Sequence, residues 1–395
     1  MTIIDKIKKR RFCIGCGLCA SVLGSKCHME LGTDGFYSPI DNGNLTKQEE
    51  KMVKFLCPGI HVEGEKQKNI WGATLSVEEA WSGDAQIRHK AASGGVVTSL
   101  AIYLLESHTV DAILQVGVME DSYLYNELKV SHTREEIVSN AQSRYAPALV
   151  FDDIINVLES SDETYAFVGK PCDAAALKNL LKLFPKYSDK IKAIISIFCA
   201  GMPSYNATVK AWQMSGRKEE PISLKYRGDG WPGNFYVKWS DGSDFQLSYN
   251  DSWGKVLGHH IGFRCKICPD GIGMLADIAV GDNWSTKNGY PDFTESEGKC
   301  FVMIRTSQGA EIMNDAHAKG YIVRNQLGIN KIEEIQPYQF QRRKLEGWRL
   351  MPVQLFSGFM LRFKGMHILK CAVSAKITTG VKNMLGTAKR MIISK

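Results

Sequence analysis

Three cysteines stand close together in the run Cys13-Ile-Gly-Cys16-Gly-Leu-Cys19. The C-x2-C-x2-C spacing lets three thiolates of one loop converge on a [4Fe–4S] cube. Glycines at 15 and 17 let the loop wrap tightly, with its N–H groups toward the sulfides. In the bacterial ferredoxin pattern the fourth cysteine precedes a proline and can belong elsewhere in the fold. Cys57-Pro58 fits that pattern, and Cys27, nearer in sequence but without the proline, is the competitor. Four thiolates can also hold structural zinc, which more commonly uses two separated C-x2-C knuckles than a run of three.

A second set is spread more widely. Cys172 lies in Gly169-Lys170-Pro171-Cys172-Asp173, Cys199 in Phe198-Cys199-Ala200-Gly201, and Cys265-x-x-Cys268 is followed by Pro269-Asp270. Cys172 and Cys199 each follow a predicted strand. In a parallel sheet the carboxyl ends of neighbouring strands share one crevice, where ligand sites form. A loop carrying Cys265 and Cys268 would complete four ligands there. The alternative is that Cys172 and Cys199 are small buried hydrophobes. Cys300 and Cys371 lie in apolar surroundings without evident partners and read as structural.

Ser93-Gly94-Gly95 precedes the helix-like VVTSLAIYLLE, the arrangement in which glycines admit a pyrophosphate to a helix N-terminus. Arg88 and Lys90 just upstream could neutralise its charge. A plain helix-opening turn has the same composition. Ser143-Arg144-Tyr145 is a second polar patch, with a solvated loop as its alternative. Tyr226-Arg227-Gly228-Asp229-Gly230-Trp231 suits stacking on a ring and binding an acidic substrate, or a turn before a hairpin. His259-His260 could donate a proton, although packed or surface histidines are commoner. Asp282-Asn283-Trp284 follows a predicted strand toward the same crevice. No serine–histidine–acid set or acid pair stands out, so no catalytic acid or base is assigned.

The elements that must position these groups follow from periodicity. Strand-like VDAILQVGV, TYAFVG, AIISIFC, DIAVGD and FVMIRT alternate with helix-like stretches at VVTSLAIYLLE, PALVFDDIINVLES, residues 173–184 and QGAEIMNDAHAKG. That alternation predicts an α/β architecture with a mainly parallel sheet. NFYVKWSDGSDFQLSY reads as an inserted hairpin turning at Asp241-Gly242. The cysteine- and glycine-rich start shows little helical periodicity, as expected where a cluster substitutes for a hydrophobic core. Three parts result: a ferredoxin-like [4Fe–4S] segment over 1–75, a mixed, largely parallel α/β domain over 76–345 that carries the Ser93-Gly94-Gly95 turn and the second cysteine set, and a basic amphipathic helical tail over 346–395.

At 395 residues the chain exceeds one ordinary core. It has no uninterrupted apolar run of membrane-spanning length and no apolar stretch after its basic start, so neither a spanning helix nor a secretory signal is expected. Eleven cysteines in a reducing compartment point to metal rather than disulfides. The expected location is the cytoplasm. From Gly347 onward there are nine Lys and Arg and no Asp or Glu, which leaves the rest of the chain at −2 out of the net +7. This charge pattern does not suit nucleic acid. With Phe356, Phe359, Phe363, Met366 and Ile368 among its bases, the tail suits a peripheral place at the anionic inner membrane surface, or packing on the body or a partner subunit.

Taken together, CIGCGLC, ASGGVVTSLAIYLLE, SRYAPA, FVGKPCDAAALKNL, FCAGMPS, YRGDGWPG and FRCKICPDGIGMLADIAVGDNW resemble the coenzyme F420 hydrogenase/dehydrogenase beta-subunit family, which also contains the plant-type 7-hydroxymethyl chlorophyll a reductases. The resemblance runs from about residue 10 to about residue 330, in order. It implies a flavoprotein with FAD and one or two [4Fe–4S] clusters, whose flavin exchanges a hydride with a soluble carrier such as F420 or with a small-molecule substrate. It implies metal ligation by Cys13, Cys16, Cys19 and Cys57, and by Cys172, Cys199, Cys265 and Cys268. It implies cofactor contacts from Arg88, Lys90, Ser93, Gly94, Gly95, Thr98, Ser143, Arg144, Tyr145 and Lys170. Lys170 departs from the motif, where a neutral residue is commoner, and puts the local charge at the second cluster in doubt. Stand-alone bacterial members are linked to surface-polysaccharide synthesis, so the resemblance admits that setting. The alternative is a non-catalytic electron-transfer subunit serving a partner protein.

Overall fold

The computed structural model describes residues 1–65, 69–287 and 290–393. Eight strands form its main sheet: Ser76–Ser82 (β1), Ala112–Met119 (β2), Ser122–Ser131 (β3), Tyr165–Gly169 (β4), Ile191–Ile197 (β5), Ile278–Asp282 (β6), Cys300–Ile304 (β7) and Ile322–Gln326 (β8). Their order is β8-β1-β7-β6-β5-β4-β2-β3. β2, β4, β5 and β6 pair in parallel. β7, β1 and β8 on one flank and β3 on the other join antiparallel, so five of the eight strands point one way.

The central strands are apolar throughout because both faces are covered. Ile113, Ala166 and Ile195 pack under the helices Val96–Glu106 and Ser307–Ala318. Their neighbours Leu114, Phe167 and Ile194 face the opposite layer, with the helix Pro171–Leu183. This alternation of side chains makes three layers. The hairpin Phe235–Lys238/Asp244–Leu247 forms as expected around Gly242 at φ +87°, and Ser223–Lys225 adds a third strand to it.

Several expectations need correction. Among its described residues the N-terminal segment holds the α-helices Ile3–Lys9, Leu18–Leu23 and Lys47–Leu56, and Ile3, Ile4, Ile7, Phe12 and Val53 form an apolar core together with Phe263, Ile267, Leu350 and Val353. Thr2 and Thr46 each start a helix with a capping box, a local signal stronger than the weak periodicity. In PALVFDDIINVLES only Ile154–Glu159 is helical, since the Phe151 N–H donates to the Cys16 carbonyl at 2.7 Å. The boundary expected at 345/346 falls inside one continuous helix, Pro337–Phe356. The segment after it is built into the body. Arg362–Lys364 pairs in parallel with His61–Glu63, and the helix Ile377–Ile393 lies along Pro337–Phe356, where Arg349 Nε donates to Asn383 Oδ1 at 3.0 Å. No helix among the described residues is long and apolar enough to cross a membrane.

Candidate functional site

Cys13, Cys16, Cys19 and Cys57 line one small enclosed cavity, walled by Ile4, Ile7, Leu18, Val53 and Leu56. Gly17, at φ +83°, lets the loop turn against the backbone of Asp152, which a Cβ would meet at 2.7 Å. The Gly15 N–H donates to Cys13 Sγ at 3.2 Å. Cys27 is not among the lining residues; it is buried beside Cys19, near the edge of the site. Among the described residues, no three His, Cys, Asp or Glu side chains converge tightly enough for a single metal ion. The four sulfurs stand around a space instead.

Cys172, Cys199, Cys265 and Cys268 are also brought together, and each of them lies within electrostatic reach of others in the set. Cys172 is in the first turn of Pro171–Leu183, directly after β4, and Cys199 comes two residues after β5. The Met202 N–H donates to Cys265 Sγ at 3.4 Å. Arg342 and Gln339, from the helix Pro337–Phe356, both donate to the Cys199 carbonyl at 3.0 Å, and Arg342 also reaches the Cys265 carbonyl. Burial, then Cys265, pushes the Cys199 thiol up to about 12, with Arg342 pulling it back. Burial and Cys57 do the same to Cys13, also to about 12. Thiolates crowded this way repel one another, so the chemistry of both donor sets fits a cationic iron–sulfur centre that offsets the repulsion.

The two sets are neighbours. Arg264, beside Cys265 and buried, donates from Nε to the Gly59 carbonyl at 2.6 Å and from Nη2 to the Pro58 carbonyl at 2.8 Å. Those carbonyls immediately follow Cys57. The charge of Asp173 also reaches Cys16, and Asp173 adjoins Cys172. Lys170 is paired with Asp173 at 2.7 Å. Burial works against its charge, but Asp173 and the Cys172 thiol raise its pKa overall. The unexpected cation is thereby compensated locally.

A cleft of about 310 Å³ runs along the carboxyl ends of β4, β5 and β6, touching Gly169, Phe198 and Asp282, and reaches Cys199. One wall is the N-terminus of Val96–Glu106, which starts at Gly95 (φ +76°) without a side-chain cap; the Val96 N–H turns to the Cys300 sulfur, and Thr98 lines the cleft. The other carries Arg227, Tyr249 and Trp284. Arg227 Nη1 is 2.9 Å from Asp282 Oδ2, and its guanidinium lies 4.9 and 5.4 Å from the centroids of the Tyr249 and Trp284 rings, which contact each other at 5.4 Å. Burial opposes the Arg227 charge, and Asp282 more than restores it. Gln339 Oε1, on a cleft-lining side chain, is buried without a hydrogen-bond partner. A helix end without a side-chain cap and aromatic walls fit a dinucleotide with a ring system.

Of the expected contacts, Ser93, Gly95, Thr98, Ser143, Arg144, Tyr145 and Lys170 line the cleft. Arg88, Lys90 and Gly94 do not. Arg88 turns away to Glu297 and the Gly298 carbonyl and stacks over Trp81. Gly94 serves packing, since a Cβ would stand 3.0 Å from Cys300 N. Arg144 lines the cleft, but its guanidinium is engaged by Asn126 and the Tyr123 carbonyl, which leaves it poorly placed to neutralise phosphate. Cys300 is not partnerless: its Sγ is 3.2 Å from Ser93 Oγ, at the cleft wall. Cys371 likewise lies 3.9 Å from Arg343 Nη2. His260 contacts Lys210 and is not a lining residue. Tyr249, Trp253, Gln336 and Gln339 line the cleft without having been expected there. They come from the inserted segment and the late helix, and no local motif marks them.

Comparison with known proteins agrees with this architecture. The family profile for the N-terminal part of the coenzyme F420 hydrogenase/dehydrogenase beta subunit matches residues 77–154, and the profile for its C terminus matches residues 162–328. The chain is 28% identical over 272 residues to the F420-dependent formate dehydrogenase subunit beta of Methanocaldococcus jannaschii, covering 67% of each. It is 26% identical over 273 residues to the coenzyme F420 hydrogenase subunit beta of Methanococcus voltae, covering 64% of this chain and 83% of that one. In fold it resembles a chain of the F420-reducing [NiFe] hydrogenase complex of Methanosarcina barkeri, with a TM-score of 0.53 and 21% identity over 70% of this chain and 95% of that one. With both halves of one family matched in order, the chain belongs to the coenzyme F420 hydrogenase/dehydrogenase beta-subunit family.

Proposed function

We propose that this chain is an iron–sulfur flavoprotein oxidoreductase that passes electrons between two [4Fe–4S] clusters and FAD, and exchanges a hydride with a soluble carrier of the F420 type or a small-molecule substrate. The observation that carries the reading is the position of Cys199, which belongs to the second thiol set and also touches the cleft. In this reading Cys13, Cys16, Cys19 and Cys57 hold the outer cluster, and Cys172, Cys199, Cys265 and Cys268 the inner one. Bound in the cleft, a flavin supplies the conversion between a two-electron hydride and single electrons. The N-terminus of Val96–Glu106 holds the pyrophosphate, with Thr98 beside it. Arg227, fixed by Asp282, keeps a permanent positive charge against the Tyr249–Trp284 ring pair on the opposite wall. Gln339 lines the cleft and holds the Cys199 carbonyl through its amide N–H.

Anaerobic purification followed by iron, acid-labile sulfide and flavin analysis tests this. The expected content is about eight irons and one FAD per chain, from two four-iron cubes. A colourless, iron-free preparation would overturn the reading. A narrower role as a relay subunit is favoured by the relatives' description as beta subunits. Reduction of a viologen dye by the isolated protein with reduced F420 would exclude that narrower role.

A further inference from the structure

The C-terminal segment docks through one side and leaves another uncovered. Along Ile377–Ile393, Gly380 seats Trp348, Asn383 bonds Arg349, and the Arg390 carbonyl accepts from Arg11 at 2.8 Å. The opposite stripe, Thr378, Lys382, Leu385, Lys389 and Ile392, repeats every three to four residues and is exposed throughout. Two neighbouring elements behave alike. Leu369 and Val373, one turn apart, are 81% and 86% exposed; Leu355 and Phe356 end the helix Pro337–Phe356 and Met360 lies in the turn after it, at 68–77%. Of the twenty exposed large hydrophobic residues among the described residues, nine lie between 351 and 392. Scattered exposed apolar residues are ordinary, but this concentration is not.

The segment's own charge is of one sign, because no Asp or Glu occurs after Glu346; Glu63, from the body, lies 3.5 Å from Lys364. A protein partner, or a second copy presenting the same face, would bring cation against cation unless it were strongly acidic. An anionic lipid surface supplies both the negative charge and the apolar layer beneath it. We propose that this C-terminal face binds an anionic membrane surface peripherally, with the lysines at the headgroups and Leu355, Phe356, Leu369, Val373 and Leu385 in the interface. The proposal does not depend on the redox reading.

The test is flotation of the full-length protein, cofactors loaded, with phosphatidylcholine vesicles that contain or lack phosphatidylglycerol. Binding should appear only with the anionic vesicles and fall with salt. Lys382→Ala with Lys389→Ala should weaken partitioning by about 30-fold, at roughly a fivefold loss per surface cation. Leu369→Asp with Val373→Asp should abolish it while leaving the visible spectrum unchanged, since both side chains are exposed. Failure to float with anionic vesicles would overturn the proposal. So would equal flotation with both vesicle types, or a shift from dimer to monomer in light scattering caused by the same substitutions, which would assign the face to a second copy.

Discussion

Replacing Arg227 with Met should be costly in a way that the pair geometry predicts. The guanidinium is buried, with its side chain 3% exposed, and its partner carboxylate on Asp282 is 19% exposed. Opposite charges about 4 Å apart attract by about 4 kcal/mol at an effective dielectric of about 20. Water reaching Asp282 returns part of that, and the variant leaves a half-desolvated carboxylate among aromatic rings. The expected loss is therefore about 2–3 kcal/mol, less than for a fully buried pair. Asp282→Asn in the same chain removes the unpaired charge, so the double variant should recover part of the loss, a coupling of about 1–2 kcal/mol. Urea unfolding under anaerobic conditions, at matched iron and flavin content, measures all four corners of the cycle. Flavin retention on a desalting column, read in parallel, should fall in the single variant. A single-variant cost below about 1 kcal/mol with no coupling would refute the assignment of the pair as the fixed charge of the cleft.

Cys57→Ala should lose the outer cluster, reducing iron by about half, whereas Cys27→Ala should keep it, as read by iron content and low-temperature electron paramagnetic resonance. Gly17→Ala forces a Cβ into the backbone of Asp152 at a left-handed φ, so the cluster loop should lose about 2 kcal/mol of stability and much of its iron. Burial raises Glu346 from the usual carboxylate range to about 7, with Arg343 at 2.9 Å opposing the shift. An acid whose folded pKa is raised holds its proton longer in the native state, so stability falls as pH climbs from about 4.5 to 7, by up to about 3 kcal/mol. Glu346→Gln should flatten that slope in urea midpoints taken at about pH 5 and pH 7.5.

The grouping of the cysteines was legible because thiols that meet in space sit at short spacings, as at Cys13, Cys16 and Cys19, or at neighbouring strand ends, as at Cys172 and Cys199. The parallel strands were legible because double burial makes them apolar throughout. Arg144 shows the limit of this reasoning. A cation beside a cleft looks like a phosphate ligand until the structure reveals that Asn126 and a backbone carbonyl hold its guanidinium. Arg342 and Gln339 were invisible for a different reason. They lie far along the chain from Cys199 in a helix whose own pattern is merely amphipathic, and only tertiary packing brings them to its carbonyl. The tail reads as an appendage because its composition changes at Gly347, yet the helix passes through that point unbroken.

The bond from Arg264 to the carbonyls after Cys57 also bears on the order in which the protein is built. The first thiol set is drawn from one short stretch, Cys13 to Cys57. The second needs Cys268 and is clamped by Arg342. Chain closure over so long a stretch comes late. The core around the first set is itself completed by Phe263, Ile267 and Leu350, so that lobe closes only when the segment bearing the second set arrives. Arg264 ties the turn after Cys57 to the segment that carries Cys265 and Cys268. A lesion at Cys57 should therefore delay maturation of the distant site as well as empty its own.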